Sequence, residues 1–322
     1  MDELHLQHPP IIGWSVMATR YGSGTAGVAA SQSKPPVVVV RGELWSEDER
    51  RQFDDYMRLN RGHRIIIMSS YMTFPGKNIN PHDDPARNPE TAFVNDVWRD
   101  RIVLWCHCFR CPERLWVTDV PRCLLSESDF YDPAALNPFL HTPKKYDFFC
   151  SFPGGEWSAY IRQLEDCKRW IDFLADTLGL KVLVVGTGRR GDFSPNATVV
   201  DGDLGWDKFV THMASCKYMI NSSYVDASPR VVIEALSLDM PVLLNERILG
   251  GWKYINNDTG RTFRFEEDIR TVVSEFMFGV YRPRAWARAN VGPALAGRRL
   301  ADALRQGNAY REANKHCDRV DL

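Results

Sequence analysis

Along its first half, the chain alternates short, continuous apolar runs with longer stretches of helical period. Val37-Val38-Val39-Val40 and Ile65-Ile66-Ile67-Met68 have the pattern of strands buried on both faces. The polar stretch between them, SEDERRQFDDYMRLN, predicts a helix with Ser46 as N-cap and Glu49 completing a capping box. Strand, helix, strand at this spacing is a βαβ unit. Ile102–Trp105 and Arg122–Leu125 predict further strands, and residues 74–90, with four prolines, a long loop. Residues 1–36, rich in Gly, Ala, Ser and Pro, predict a largely irregular arm. Between Tyr131 and Lys145, prolines and lost periodicity predict an interdomain linker.

The second half repeats the theme. Strands are expected at Asp147–Cys150, Lys181–Val185, Thr198–Val200, Tyr218–Ile220 and Pro241–Leu244. Helices are expected from about Ser158 to Leu178, from Trp206 to Ser215 with Trp206, Phe209, Val210 and Met213 inward, and from Pro229. Such alternation predicts a doubly wound parallel sheet whose ligands sit beyond the carboxyl ends of its strands. The expected domains are the arm 1–36, a Rossmann-like domain 37–145, a second one 146–275 and a helical tail 276–322 able to pack back on the first.

Composition narrows the function classes. The 40 basic residues are matched by 41 acidic ones, so the basic excess of a nucleic-acid binder is missing. No run approaches the roughly 20 apolar residues of a membrane span. The opening MDELHLQHPP has no secretory pattern, so a cytoplasmic protein with reduced thiols is expected. Cys106, Cys108 and Cys111 with His107 invite a zinc reading, but the Cys106/Cys108 alternation suits a strand better, and no metal is expected there. Gly186-Thr-Gly188-Arg189-Arg190-Gly191 spells the dinucleotide fingerprint, yet Pro195 interrupts any helix after it. No acidic residue ends a second strand at the ribose-binding distance either. A dehydrogenase is therefore not expected; Gly186 and Gly188 mark a close backbone approach or simply a tight turn.

The densest chemistry lies in Asn221–Gly260. A strand ends at Ile220, and a helix is expected to open with Ser228 as N-cap and Pro229 at its first position. Its N-terminal amides, through Val231, and the adjacent Arg230 make a site for a diphosphate. Asp226 before the helix and Glu234 within it can both face a ligand lying over the helix start.

The segment Asp226-Ala-Ser-Pro-Arg-Val-Val-Ile-Glu234, followed by Pro241-Val242 and Gly250-Gly251, resembles the E-x7-E segment of GT-B glycosyltransferases of family 4. The resemblance covers roughly residues 146–265. It implies a GT-B fold of two facing Rossmann-like domains. Asp226 would contact the donor sugar, Glu234 the nucleotide ribose, and Gly250 and Gly251 the sugar and phosphates. More loosely, it extends to Gly186, Gly188 and the Gly202-Asp203-Leu204 loop, which corresponds to the base-binding region. His107, at the carboxyl end of a predicted strand, matches by position a first-domain histidine near the donor sugar.

Two features depart from the family pattern. The first acid is Asp rather than Glu, and Phe152–Trp157 carries none of the family's basic residues, so Arg230, Arg189 or Lys253 would supply the charge. The run Ala227-Ser-Pro-Arg-Val-Val also echoes exostosin-like enzymes, which invert, so the stereochemistry is open. Glu43 or Asp119 would be the base if the reaction inverts. The expected activity is transfer from a nucleotide sugar, UDP first, to a carbohydrate or other hydroxyl acceptor. Asp226, His107 and Arg230 would be catalytic, with no divalent ion and no other cofactor. The alternative is a non-catalytic nucleotide-sugar or glycan-binding protein of the same fold.

Overall fold

A computed structural model of the chain describes residues 14–17, 37–42, 44, 47–69, 74–75, 93–116, 118–152, 159, 162–186, 191–202 and 204–317. They fall into two compact units. One contains the described residues up to Ser126 and the chain from Gly297; the other is Glu127–Ala296.

The first unit is built on a five-stranded sheet: β1 (Trp14–Met17), β2 (Val37–Val40), β3 (Arg64–Met68), β4 (Ile102–His107) and β5 (Arg122–Leu124), lying side by side in that order. The pairs from β2 to β5 are parallel, and the Val and Ile runs of β2 and β3 are buried on both faces, as is usual in parallel sheets. The arm expected to be largely irregular contributes β1, an antiparallel strand along the free edge of β2. Helix α1 (Glu47–Leu59) buries Phe53 and Met57, one turn apart, and concentrates acids in its first turn, where they complement the helix dipole. Two short helices, α2 (Phe93–Trp98) and α3 (Pro112–Leu115), flank β4.

The second unit holds six parallel strands: β6 (Tyr146–Ser151), β7 (Val182–Gly186), β8 (Thr198–Asp201), β9 (Cys216–Asn221), β10 (Val242–Asn245) and β11 (Gly260–Phe263). Their order is β11-β10-β9-β6-β7-β8. Helices α4 (Leu164–Asp172), α5 (Trp206–Ala214), α6 (Arg230–Ser237), α7 (Ile269–Phe278) and α8 (Pro283–Asn290) cover it. Alternate strand residues feed two separate cores: Phe149, Leu183 and Met219 enter one, Phe148, Val184 and Ile220 the other. From β6 the chain builds outward through β7 and β8, then crosses back to lay β9, β10 and β11 on the other side. The carboxyl ends of β6 and β9 therefore form the topological switch point, where sheets of this kind leave a crevice for ligands.

The stretch read as a linker is ordered on this second unit. Short 3-10 turns occupy Glu127–Phe130 and Pro133–Phe139, Asp132 caps the latter by accepting from Ala134 N at 2.9 Å, and Leu136 is fully buried. Of the helix expected from about Ser158 to Leu178, residues 158, 160 and 161 lie outside the described ones; the rest is regular over α4, then loosens into a π-turn at Phe173–Thr177. The last helix, α9 (Pro293–Cys317), begins in the second unit and continues into the first, where Gly307 lies against Pro121. Among the described residues no helix is long and apolar enough to cross a membrane.

Candidate functional site

At the switch point a basic residue emerges that the sequence did not single out. Arg162 lies on the turn before α4, next to Gln163, whose φ of +53° marks the bend. Its Nη1 donates to Ser223 Oγ (2.9 Å), just past β9, and to Ser151 O (3.3 Å), at the end of β6. Arg162 thus spans the two strand ends. Its Nε is shielded from solvent and has no acceptor among the described residues. The amide of Asn221, which ends β9, is in the same state: Oδ1 accepts from Ser223 N, while the buried Nδ2 has no acceptor. Buried donors are nearly always paired. Two buried donors without an acceptor among the described residues, on side chains that both contact Ser223 at the switch point, are an arrangement that an acceptor-rich ligand would complete.

The loop from Asn221 to Pro229 is fixed by backbone contacts. Asn245 Nδ2 donates to Ser222 O (3.1 Å), and Gly250 N donates to Asp226 O (2.9 Å). Gly250 and Gly251 let two segments touch. A Cβ on Gly250 would stand 1.8 Å from Ala227 O, and one on Gly251, itself at φ +79°, 2.5 Å from Pro229 Cγ. The glycine pair, Asp226 and the entry to α6 are therefore one packed assembly.

The cap differs from expectation. Helix α6 starts at Arg230 with Pro229 in the capping position, and no side chain caps it. Ser228 is engaged elsewhere, because Ser128 claims it. Ser128 N donates to Ser228 Oγ (3.0 Å), Ser128 Oγ donates to Ser228 O (2.9 Å), and the two hydroxyls lie 2.8 Å apart. The first turn of α6 thereby keeps its amides uncapped: among the described residues no acceptor meets Arg230 N or Val231 N. Ser128→Ala is expected to cost about 1–3 kcal/mol, the range for stranding buried hydrogen-bonding groups, measured by denaturant unfolding.

The two acids sit in different surroundings. Asp226 Oδ1 accepts from Ser228 N (3.1 Å); burial raises its pKa, with Arg162 and that amide pulling the other way. Glu234 is only 3% exposed. Its Oε1 accepts from Trp206 Nε1 (3.3 Å) and faces Arg230 Nε at 3.5 Å. Burial raises its pKa too, and Arg230 and Trp206 oppose the rise. Trp206 was expected to face inward. Instead it is 42% exposed, with its indole N–H on Glu234 and its ring edge-to-face with Phe139 at 5.7 Å; Val210 and Met213 carry the buried face.

The remaining candidates are dispersed. Gly186 ends β7, where a Cβ would stand 1.8 Å from Phe152 O, and Gly202 at φ +134° donates to Gly186 O (3.3 Å), so these two meet. Residues 191–197 run as turns into β8, with no helix opening after the glycine motif. Leu204 packs on the core beneath α5. Gly188, Arg189 and Asp203 lie outside the described residues, as do Glu43 and the cap Ser46.

Lys253 is not available as phosphate charge, because its ammonium forms a buried ion pair with Asp129. In the first unit, His107 is buried at the end of β4, stacked on Phe109 (centroids 6.4 Å) and tilted against Trp105 (5.2 Å). Of the cysteines around it, Cys106 and Cys108 are buried and Cys111 is exposed, and Cys106 lies opposite Cys123 in the β4/β5 register. Asp119 is exposed and ion-paired with Arg99 (3.1 Å).

No protein-family model matches the chain, and no curated protein matches its sequence. Solved structures do resemble it. The Anabaena protein Alr3699/HepE in complex with UDP and glucose superposes with a TM-score of 0.52 at 9% identity, over 81% of this chain and 76% of that one. The α,α-trehalose 6-phosphate synthase of Burkholderia multivorans gives 0.57 at 10% identity, over 85% and 72%. The pneumococcal O-GlcNAc transferase GtfA, with UDP and GlcNAc, gives 0.52 at 7% identity, over 79% and 55%. At such identities the likeness speaks for architecture: the chain has the α/β fold of GT-B glycosyltransferases, with two sheets of mostly parallel strands.

Proposed function

We propose that this chain transfers a glycosyl group from a nucleoside-diphosphate sugar, a UDP-sugar first, to a hydroxyl of a carbohydrate acceptor. The observation that carries this reading is Arg162 at the switch point, whose buried Nε has no acceptor among the described residues and whose charge acts on Asp226. The structural neighbours whose names include UDP support the same ligand class.

In this reading the diphosphate is met by Arg162 and by the uncapped amides of Arg230 and Val231. Asp226, Gly250 and Gly251 position the sugar, and Glu234 takes the ribose. The bond between the anomeric carbon and the diphosphate oxygen breaks, the acceptor oxygen bonds that carbon, and the acceptor's proton leaves. Charge accumulates on the departing diphosphate, where a fixed guanidinium and oriented amides stabilise it most. Because protein groups supply that charge, turnover needs no divalent ion and continues in EDTA.

The test is release of the nucleoside diphosphate from UDP-glucose and a panel of other sugar nucleotides. Arg162→Ala is expected to lower kcat/KM by roughly 100-fold, in the range seen when one preorganised donor is removed. Unchanged turnover in this variant would refute the assignment. Tight binding without turnover of any donor would favour a binding protein of the same fold.

A further inference from the structure

Tyr131 follows the 3-10 turn Glu127–Phe130, and its ring packs on the core that α6 lines. Its hydroxyl is shielded from solvent, yet among the described residues it has no hydrogen-bond partner. The 3-10 turns on either side of Tyr131 pack against α6, and Glu234 and Arg230 of that helix are the charges that act on it most strongly. Among the described residues, the two groups that meet the Glu234 carboxylate both do so at Oε1, and both only donate: an indole N–H and a guanidinium. A tyrosine hydroxyl differs in kind, since it both donates and accepts. Phenylalanine would fill the same space without burying a polar atom, so packing alone gives no reason for the oxygen.

Resting on the nucleoside-diphosphate reading above, we infer that Tyr131 is a specificity-determining contact of that site: its hydroxyl and the Glu234 carboxylate together bind the vicinal diol of the ribose. One sugar hydroxyl donates to Glu234 while accepting from Tyr131, which gives the Tyr131 hydroxyl the partner it lacks among the described residues. The site then discriminates ribonucleotides from deoxyribonucleotides.

The experiment is calorimetric titration of the whole chain with UDP, CDP, GDP and ADP, then with the 2′-deoxy and 3′-deoxy forms of whichever binds tightest. For the wild type, at least one deoxy form is expected to bind about tenfold more weakly, the scale of one hydrogen bond. In Tyr131→Phe, affinity for the ribonucleotide falls about tenfold while that for this deoxy form is unchanged, and the free protein melts no lower than wild type. A ribose-to-deoxyribose ratio that Tyr131→Phe leaves unchanged overturns the inference, as does a uniform loss for every nucleotide accompanied by a lower melting temperature. If the variant does not fold, 3-fluorotyrosine at position 131 of the otherwise unaltered chain gives a second readout. Its fluorine resonance moves with the ribonucleotide and not with the deoxy form, and a resonance indifferent to both overturns the inference. Failure of the wild type to bind any of the four nucleotides refutes the underlying reading and removes this inference with it.

Discussion

Gly250→Ala is expected to destabilise the chain by more than about 3 kcal/mol and to abolish nucleotide binding in whatever fraction still folds. Overpacked sites usually cost 1–3 kcal/mol because a side chain can swing aside. Here nothing can swing. The new methyl would stand 1.8 Å from Ala227 O and 2.5 Å from Ala227 C, both main-chain atoms. Relief requires separating two backbone segments, and that breaks the Gly250 N to Asp226 O bond as well. It also shifts Pro229 and so the entry to α6, where the proposed diphosphate contacts lie. Gly297→Ala is the control. That glycine is within α9 with nothing near its would-be Cβ, so alanine is expected to stabilise by roughly 0.5–1 kcal/mol. Urea unfolding of both variants checks the pair; a Gly250→Ala as stable as wild type would show that the glycine loop is not packed on the helix entry.

Glu234→Gln is expected to separate stability from function. A carboxylate buried this deeply is disfavoured in its charged form, and its pKa lies above the ordinary 4.5 for that reason. A raised acid pKa means that the folded chain binds the proton more tightly than the unfolded one. The ionised group therefore opposes folding above its folded pKa, and the penalty fades as pH falls through that value. Glutamine keeps the shape and can still accept from Trp206, so the variant should melt at or above wild type at pH 8. That advantage should shrink toward pH 4.5. Ribose hydroxyls bound to a carboxylate form charge-assisted bonds worth about 1.5–3 kcal/mol, so nucleotide affinity should fall roughly 10- to 100-fold. Thermal melts across pH and calorimetry check both halves. A lower melting temperature with intact affinity would make Glu234 a structural acid.

Much of the second unit was legible because its strands are buried on both faces and leave uninterrupted apolar runs. The Asp226–Glu234 segment and the Gly250-Gly251 pair were legible as one constellation, and the structure packs them together through Gly250 and Pro229.

Arg162 was not legible. It sits on an irregular turn eleven residues beyond Ser151, and only the β6/β9 adjacency gives it meaning. Trp206 was misplaced because helical spacing groups it with Val210 and Met213; spacing cannot show that a first-turn indole turns outward to a buried acid. The 131–145 segment reads as a linker because its prolines hide any period. Asp132 followed by Pro133 is nevertheless a cap and first-position signature, and it was the available signal.

In the proposed reading a diphosphate is held by Arg162 and the start of α6, near Asp226. The decisive measurement is a crystal structure with the tightest-binding nucleoside diphosphate. Phosphate oxygens are expected on the Arg162 guanidinium and on the amides of Arg230 and Val231, with the ribose on Glu234. Phosphates bound elsewhere, with Arg162 Nε still lacking an acceptor, would contradict that reading.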